Sequence, residues 1–219
     1  MAPICVIIGT GPGIGLAVAR RFGKEGYQIA LLARSASTLD DIQAELKRDG
    51  ITSMTFATDA GVPEQLVGAL QQVAAHMGPP EVLVYNAVAF TPGPLSAVSP
   101  DDLVVGFQVS AGGALVAVQQ VLPHMRAQNQ GTIIFTGGGA ALTSFPGMAT
   151  LSIGKAALRM LALGLAQELA ETGVRVRTVT IFGIVAPNTP FDPARIAETY
   201  WDVHSQTTGS QDAEIRYQG

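Results

Sequence analysis

The sequence predicts a doubly wound α/β fold, in which a parallel sheet of about seven strands lies between two layers of helices. Two observations support this prediction. Short apolar runs alternate along the chain with longer stretches of helical periodicity. The runs are almost continuously apolar, which is typical of parallel strands buried on both faces. A hydrophobic content of 47% against 14% charged residues provides enough apolar material for a large core.

Short apolar runs bounded by glycine, proline or polar residues are predicted as strands. They are Ile4–Ile8, Gln28–Ala33, Met54–Ala57, Val82–Tyr85, Ile133–Phe135, Val174–Ile181 and Glu214–Tyr217. The stretches between them place apolar residues at helical spacing and are predicted as helices. They are Gly15–Lys24, Thr38–Arg48, Pro63–Met77, Asp101–Gln128, Thr150–Thr172 and Ala194–His204. With neither an internal repeat nor a linker, residues 1–219 are expected to form one domain.

Charge and cysteine content exclude several classes of function. The net charge is −4, and lysine and arginine are scattered, which disfavours binding to nucleic acid or to an anionic membrane. Cys5 is the single cysteine, and the three histidines are far apart, so neither a disulfide framework nor a metal site is expected. The N-terminal sequence has no basic region ahead of its short apolar run, so a cytoplasmic location is expected.

A cluster of glycines directly follows the first predicted strand and precedes the first helix. Glycines in this position let the backbone approach a pyrophosphate, whose charge then faces the free N–H groups of the helix N-terminus. The common spacing Gly-x-Gly-x-x-Gly, counted from Gly9, would need a glycine where Ile14 stands, so the spacing here is Gly9-x-x-x-Gly13-x-Gly15. The pattern predicts a dinucleotide site of Rossmann type. Its residues are Gly9, Thr10, Gly11, Gly13, Ile14 and Gly15.

With this spacing, the chain resembles the short-chain dehydrogenase/reductase family, whose fingerprint is Thr-Gly-x-x-x-Gly-x-Gly. Ile8 stands in the threonine position, and Asn86-Ala87-Val88 is similar to the family's Asn-Ala-Gly after the fourth strand. The resemblance covers nearly the whole chain and implies a nicotinamide dinucleotide cofactor and oxidoreductase activity. It implies further cofactor contacts at Asp59 beside the adenine, at Asn86 and Ala87, at Lys155, and at Gly183 and Ile184 beside the nicotinamide amide.

The end of the second predicted strand indicates which dinucleotide is preferred. An acidic residue there would accept hydrogen bonds from the adenosine 2′-hydroxyl of NAD(H). This chain has Arg34 and Ser35 instead, and no acid before Asp40. The guanidinium of Arg34 can pair with a 2′-phosphate and the Ser35 hydroxyl can add a donor, which favours NADP(H). The alternative is that Arg34 stacks on the adenine or lies in solvent.

The resemblance also locates the family's four catalytic positions, of which this chain keeps only the lysine. Lys155 occupies the lysine position, which places Leu151 at the tyrosine, Gly138 at the serine and Ser110 at the asparagine. In the family, the tyrosine is the general acid/base and the serine polarises the substrate carbonyl. Without these groups, which contribute roughly 10²–10⁴-fold and 10²–10³-fold to rates, alcohol and ketone redox by the family mechanism is not expected.

Lys155 retains a use without the tyrosine. In the family, the lysine lowers the pKa of the tyrosine and holds the nicotinamide ribose, and the resemblance implies that Lys155 can still bind the ribose hydroxyls. The alternative is a lysine at the start of a helix that contacts a carbonyl group or solvent.

Three functional hypotheses follow. The first is an NADP(H)-dependent oxidoreductase that uses another acid, or a substrate that needs none, such as an activated double bond that receives a hydride. The second is a non-catalytic NADP(H)-binding protein that acts as a sensor or a partner subunit. The third, a structural subunit that binds no nucleotide, leaves the glycines of the first loop unexplained.

The resemblance implies a lid and an assembly as well. Residues 187–206 are expected to form a short lid over an unidentified small-molecule substrate, with Tyr200 and Trp201 either facing that substrate or packing on the core. His204 is then either an acid near the site or a solvated histidine. The helices at 101–128 and 150–172 are apolar on more than one face, and the family pairs them across a two-fold axis, so a homodimer or homotetramer is expected.

Overall fold

A computed structural model, which describes residues 2–205 and 212–219, shows a seven-stranded parallel sheet with helices on both faces. The strands are β1 (Ile4–Ile8), β2 (Gln28–Ala33), β3 (Ser53–Ala57), β4 (Val82–Tyr85), β5 (Gly131–Gly138), β6 (Val174–Ile181) and β7 (Glu214–Tyr217). Their order is β3-β2-β1-β4-β5-β6-β7, and every neighbouring pair is parallel. The predicted fold class is confirmed.

Strand β5 is longer than the predicted Ile133–Phe135. It pairs with β6 from Gly131 opposite Val174 through Gly138 opposite Ile181. The ends of this strand are not predicted from side-chain propensity, because they contain glycine, which is depleted in strands. The extension carries the backbone of β5 to Gly138, the position that corresponds to the family's serine.

The helices are α1 (Ile14–Lys24), α2 (Ala36–Arg48), α3 (Pro63–His76), α4 (Pro100–Phe107), α5 (Gly113–Gln128), α6 (Ala149–Glu168) and α7 (Pro193–Ser205). The prediction of one helix over Asp101–Gln128 is confirmed, because the helical stretch runs without a break from Pro100 to Gln128, with a π-helical turn at Gln108–Gly112 that joins α4 to α5. The wide turn frees the Val109 carbonyl to accept a hydrogen bond from the Tyr85 hydroxyl.

The two faces of the sheet carry separate apolar cores, as a three-layer sandwich requires. One core lies under α3, α5 and α6 and includes Leu70, Val118 and Leu158, all at most 5% exposed. The other lies under α1, α2 and α7 and includes Phe22 and Ile196, both fully buried. Strands β1, β2, β4 and β5 in the middle of the sheet are therefore covered on both sides, which explains why their sequences are almost continuously apolar.

The strand order places a crevice at the carboxyl ends of β1 and β4. Strand β1 pairs with β2 on one side and with β4 on the other, and the crossovers from these strands run to opposite faces of the sheet. In open α/β sheets, ligands bind outside the carboxyl ends of the strands at such a switch point. The glycine cluster after β1 lies at this crevice.

Two helical segments are long and apolar enough to span a membrane by length and composition alone. They are Pro100–Gln128 and Ala149–Glu168, with mean hydropathies of 1.4 and 1.3, and about half of each scored stretch is buried within the protein. Their buried residues belong to the core over α5 and α6. Their apolarity is therefore partly accounted for by packing on the sheet, and the remaining apolar side chains lie at the surface.

Candidate cofactor-binding and active site

The glycine loop is shaped by the neighbouring loop that follows β4. Gly9 has a φ of +85°, and a Cβ there would clash with the backbone nitrogen of Ala87. The Asn86 side-chain amide donates to the Gly9 carbonyl at 2.8 Å, which fixes the two loops together. Further along, a Cβ on Gly15 would lie 2.9 Å from the Cα of Thr10. Gly9 and Gly15 are thus required by the fold itself, whether or not a cofactor binds.

Gly11 and Gly13 differ, because the protein leaves the space beside them open. A Cβ at either position would meet no protein atom within 4 Å. Helix α1 begins at Ile14 with Gly13 as its N-cap residue, and no acidic side chain lies in its first turn. An open space beside the positive end of a helix fits the pyrophosphate of a dinucleotide, which needs close backbone approach and N–H donors.

A cleft of about 330 Å³ continues from the glycine loop along the carboxyl ends of β1, β2, β3 and β4. Its lining includes the predicted cofactor residues Gly9, Thr10, Arg34, Ser35, Asp59, Asn86 and Ala87. The Asp59 carboxylate accepts from the Gly61 N–H at 2.8 Å, which holds the loop after β3. The hydroxyl of Thr58, which the sequence analysis did not select, is buried in the lining without a partner among the described residues. An unpartnered buried hydroxyl fits a cleft that receives a polar ligand.

Arg34 and Ser35 lie at the mouth of this cleft with different local roles. Arg34 is exposed and forms no ion pair with any residue that the structure describes. Ser35 is the N-cap of α2, where its Oγ accepts from the Thr38 N–H at 3.1 Å and from the Thr38 hydroxyl at 2.9 Å. Ser35 thus caps α2, while the N–H groups of the Arg34 guanidinium beside that helix N-terminus are available to a ligand.

The four catalytic positions meet around the end of β5 and the start of α6. Gly138 ends β5 in extended backbone, and a Cβ there would lie 3.9 Å from the Ile181 carbonyl, which is ordinary contact. Gly137 differs, because its Cβ would lie 2.7 Å from the Thr178 hydroxyl. Leu151, in the first turn of α6, is half-buried. Neither Gly138 nor Leu151 offers a proton or a hydrogen-bond donor from its side chain.

Lys155 is buried and bonded to the backbone. Its ammonium donates to the Thr136 carbonyl at 2.6 Å, and burial lowers its pKa to about 8. Thr136 also connects β5 to α7 on the other face of the sheet, because its hydroxyl and the Tyr200 hydroxyl form a hydrogen bond of 2.7 Å. A carbonyl contact is the alternative to ribose binding that the sequence leaves open for Lys155, and the structure shows this contact. Two of the three ammonium N–H groups remain for other partners.

Ser110 lies within the π-helical turn and faces α6. Its hydroxyl is buried without a partner among the described residues, and it would lie 2.6 Å from a Cβ on Gly154. The residue before Lys155 must therefore be small for Ser110 to pack there. The family resemblance assigned the asparagine position to Ser110 by sequence spacing, and the structure brings it beside the helix that carries Lys155.

Gly183 and Ile184 follow β6 at the same edge of the sheet. The Phe191 ring covers Gly183 so closely that any side chain at 183 would clash with it. Ile184 is 87% exposed. The backbone of this segment is thus shaped by Phe191, whose ring also stacks edge-to-face with Tyr217 at 5.9 Å.

The helical part of the predicted lid does not cover the candidate site. It forms α7, which packs against α1 and the sheet. Tyr200 is fully buried, and Trp201 contacts the Phe22 ring edge-to-face at 5.3 Å. Amphipathic periodicity explains the difference, since Ile196, Ala197 and Tyr200 give α7 one apolar face that the core accepts. Residue 206 lies outside the described residues.

His204 is not near the candidate site. Its ring nitrogens bond to the Tyr27 hydroxyl at 2.6 Å and to the Thr132 hydroxyl at 3.0 Å, at the amino ends of the strands. Burial, reinforced by the positive charge of Arg175, lowers its pKa to about 4, so the imidazole is neutral at pH 7. The expectation of an acid or a solvated histidine is wrong in both forms. Tyr85, at the carboxyl end of β4, is buried, and its hydroxyl donates to the Val109 carbonyl.

Comparison with known proteins agrees with this geometry. The family model described as short chain dehydrogenase matches residues 3–193. An uncharacterized oxidoreductase of Listeria monocytogenes is 30% identical over 179 residues, which cover 82% of this chain and 72% of the relative. The 2,3-dihydro-2,3-dihydroxybenzoate dehydrogenase of Bacillus subtilis is 29% identical, with 81% of this chain and 68% of the relative covered.

Two solved structures share the fold. A metagenomic short-chain oxidoreductase in complex with NADP superposes with a TM-score of 0.88 at 26% identity, over 99% of this chain and 97% of that chain. An NAD⁺-bound xylitol dehydrogenase superposes with a TM-score of 0.77 at 28% identity, over 82% and 70%. Because the family model matches most of the sequence and the same sheet recurs in these structures, the chain belongs to the short-chain dehydrogenase/reductase family.

Proposed function

We propose that this protein is an oxidoreductase that binds NADP(H) in preference to NAD(H) and does not use the Ser-Tyr-Lys chemistry of its family. The observation that carries the cofactor preference is Arg34, an exposed cation without an ion-pair partner in the described chain, at the mouth of the cleft. A 2′-phosphate placed there would meet the guanidinium and the N-terminus of α2. The similar structures bind NADP in one case and NAD⁺ in another, so the preference rests on Arg34.

The rest of the cofactor would lie along the carboxyl edge of the sheet. Gly11, Gly13 and the start of α1 would take the pyrophosphate, and Asp59 and Thr58 would border the adenine. Lys155 would bind the nicotinamide ribose with its free N–H groups, and the backbone at 183–184 would hold the amide. Bound in this way, the cofactor supplies or accepts a hydride at the carboxyl end of β5.

The chain's own side chains restrict which substrates can react. No hydroxyl at Gly138 polarises a carbonyl, and no acid at Leu151 delivers a proton. An acceptor that takes its proton from water, such as an activated carbon–carbon double bond, fits this site better than a simple ketone. We therefore propose activated double bonds as the acceptor class.

A panel of enones and matched saturated ketones with NADPH tests this proposal. We expect consumption of NADPH with the enones and rates at least about 100-fold lower with the ketones. Turnover of ketones at ordinary enzymatic rates would contradict the proposal.

The second candidate is a non-catalytic NADP(H)-binding protein, which the joint absence of the tyrosine and the serine favours. In that case, the protein would bind NADPH without turnover of any member of the panel. Binding without turnover would support the sensor or partner-subunit function, while absence of binding would exclude both candidates.

We also propose that the protein is a homodimer or homotetramer. Several large apolar side chains on α4 and α6 remain exposed in the single chain, among them Val104 at 64% and Met160 at 63%. Patches of this kind mark interaction sites, and a second copy of the chain covers them in the proposed assembly. Light scattering tests this, and the double substitution Val104→Glu and Met160→Glu is expected to produce monomers. A monomeric wild-type protein would contradict the assembly.

A further inference from the structure

Loops that carry no charged side chain surround the candidate active site on the side away from the adenine cleft. We name residues 86–99, 139–148 and 182–191, which follow β4, β5 and β6, the rim loops. None of these 34 residues is Asp, Glu, Lys, Arg or His, although the chain's charged content of 14% would place about five charges among them. Surface loops are ordinarily the most polar part of a domain, so this composition needs an explanation.

The rim loops lie together at one edge of the sheet and contact each other. The Gly93 N–H donates to the Gly147 carbonyl at 3.1 Å, which joins the first rim loop to the second. The second and third meet where the Phe182 ring lies 3.0 Å from the position of a Cβ on Gly139. Because β4, β5 and β6 are adjacent and parallel, these contacts form one continuous surface around the end of β5.

Large apolar side chains project from this surface into solvent. Each is between 37% and 87% exposed, and they are Val88, Phe90, Leu142, Phe145, Met148, Ile184 and Val185. Leu95, in the first rim loop, is also 59% exposed. A cluster of this size on one edge of a domain marks a binding surface, since isolated exposed apolar residues would be spread over the molecule.

The two halves of the crevice therefore differ in charge. The cofactor half carries Arg34 and Asp59, whereas the rim loops contribute no charge of their own. The Arg216 guanidinium on β7 lies over the Phe182 ring at 5.9 Å and 4.0 Å from the Glu214 carboxylate, so that carboxylate already partners it. A carboxylate or phosphate bound among the rim loops would lose hydration and would have to compete with Glu214 for this cation. An apolar ligand there would instead cover exposed hydrocarbon.

The substrate of the proposed function lies at this edge of the sheet, and from the uncharged, apolar character of the rim loops we infer that it is an uncharged, predominantly apolar molecule. This inference rests on the proposed function, because it places the substrate where the cofactor would exchange its hydride. The occupant is a small molecule because the loops converge on the carboxyl edge of the sheet, the position at which ligands bind in open α/β folds. Since α7 packs on α1 rather than over this edge, the described part of the chain leaves the apolar side chains open to such a ligand.

Nile red, an uncharged apolar dye, is the probe that tests the inference, with NADPH-saturated protein. We expect dye fluorescence to rise on binding and Phe145→Arg to weaken this binding at least about tenfold, while Phe145→Leu keeps it within about threefold. Phe145 is 46% exposed, so the arginine is tolerated by the fold. Met54→Arg, at a 37% exposed apolar residue on the edge strand β3, is the matched control and should bind the dye normally.

Displacement of the dye by an uncharged and by a charged ring compound tests whether the rim loops prefer uncharged ligands. Tert-butyl-cyclohexanone and oxocyclohexane carboxylate have the same ring, and we expect the uncharged ketone to displace the dye at concentrations at least about tenfold lower. Calorimetric titration of the same protein samples with NADPH distinguishes a failure of the substrate inference from a failure of the proposed function. With NADPH bound, an absent dye signal, equal binding by Phe145→Arg, or better displacement by the carboxylate would overturn the inference alone. Failure to bind NADPH would overturn the proposed function.

Discussion

At the scale of single residues, the site has lost side chains without losing the space for them. Gly138 is in extended backbone that any residue adopts, and a Cβ there would lie 3.9 Å from the Ile181 carbonyl oxygen, which is ordinary contact. Leu151 lies one helical turn before Lys155, on the same side of α6. The backbone that would present a serine and a tyrosine is therefore in place, and the chain departs from the family's pattern here in two side chains.

The double substitution Gly138→Ser and Leu151→Tyr is predicted to create ketone reductase activity with NADPH. Two groups worth roughly 10²–10⁴-fold and 10²–10³-fold are added at positions where they fit. We expect a gain of at least about 100-fold in kcat/KM on ketones. Adding Lys155→Met should remove that gain, because the new tyrosine then lacks the neighbouring cation that lowers its pKa. An unchanged rate in the double variant would mean that these positions do not face the substrate.

Gly9 and Gly11 are predicted to respond oppositely to alanine. At Gly9, a Cβ meets backbone at a positive φ, so Gly9→Ala should lower the free energy of unfolding by at least about 3 kcal/mol. At Gly11, the space is open, so Gly11→Ala should change stability by less than about 1 kcal/mol and weaken NADPH binding at least about tenfold. Urea unfolding and calorimetry measure the two effects. Normal NADPH affinity in Gly11→Ala would show that the open space is not the pyrophosphate site.

At the scale of secondary structure, sequence periodicity predicts least well the two elements around the candidate site, which are the end of β5 and the π-helical turn at Gln108–Gly112. Five of the strands begin and end at the predicted residues, because buried parallel strands are distinct apolar runs. The π-helical turn at Gln108–Gly112 was not predicted, since its cause is tertiary: the Tyr85 hydroxyl lies 2.5 Å from a Cβ on Gly113 and binds the Val109 carbonyl. Hydrophobic periodicity carries no signal for such a contact.

Helix α7 illustrates the same limit. Its residues were expected over the substrate from family resemblance, whereas its own periodicity already gave one apolar face of Ile196, Ala197 and Tyr200. That face packs on α1, and His204 at its end is held by Tyr27 and Thr132. The periodicity of the helix was therefore a better guide to its position than its order in the chain.

His204 makes the attachment of α7 sensitive to acid. Burial lowers the pKa of His204 from its ordinary value of 6.5 to about 4 in the folded protein. As the pH falls below 6.5, His204 in the unfolded chain therefore binds a proton more readily than His204 in the folded protein. Stability from the neutral ring is thus complete above pH 6.5 and decreases toward pH 4. Between pH 7 and 5, the wild type should lose up to about 2 kcal/mol more than His204→Gln, as urea unfolding measures. Parallel curves for the two proteins would contradict this account.

At the scale of the whole molecule, the fold class could be predicted from sequence, and so could the glycine loop and Arg34, which line one half of the crevice. The glycines precede a helix after a strand, and Arg34 ends the next strand, so local order along the chain carries the signal. The rim loops could not be predicted, because their uncharged surface is assembled from three segments that only the sheet brings together. The same holds for Thr58, which only the folded chain brings into the lining of the cleft.

We propose that this chain has kept a binding site for NADP(H) although its catalytic side chains differ from those of the family. Calorimetric titration of the wild type with NADPH and with NADH, repeated on Arg34→Ala and on the control Arg48→Ala, tests this proposal. We predict micromolar binding of NADPH, at least about tenfold tighter than NADH, with that difference lost in Arg34→Ala and kept in Arg48→Ala. Equal affinity for the two cofactors in the wild type, or binding of neither, would contradict the account.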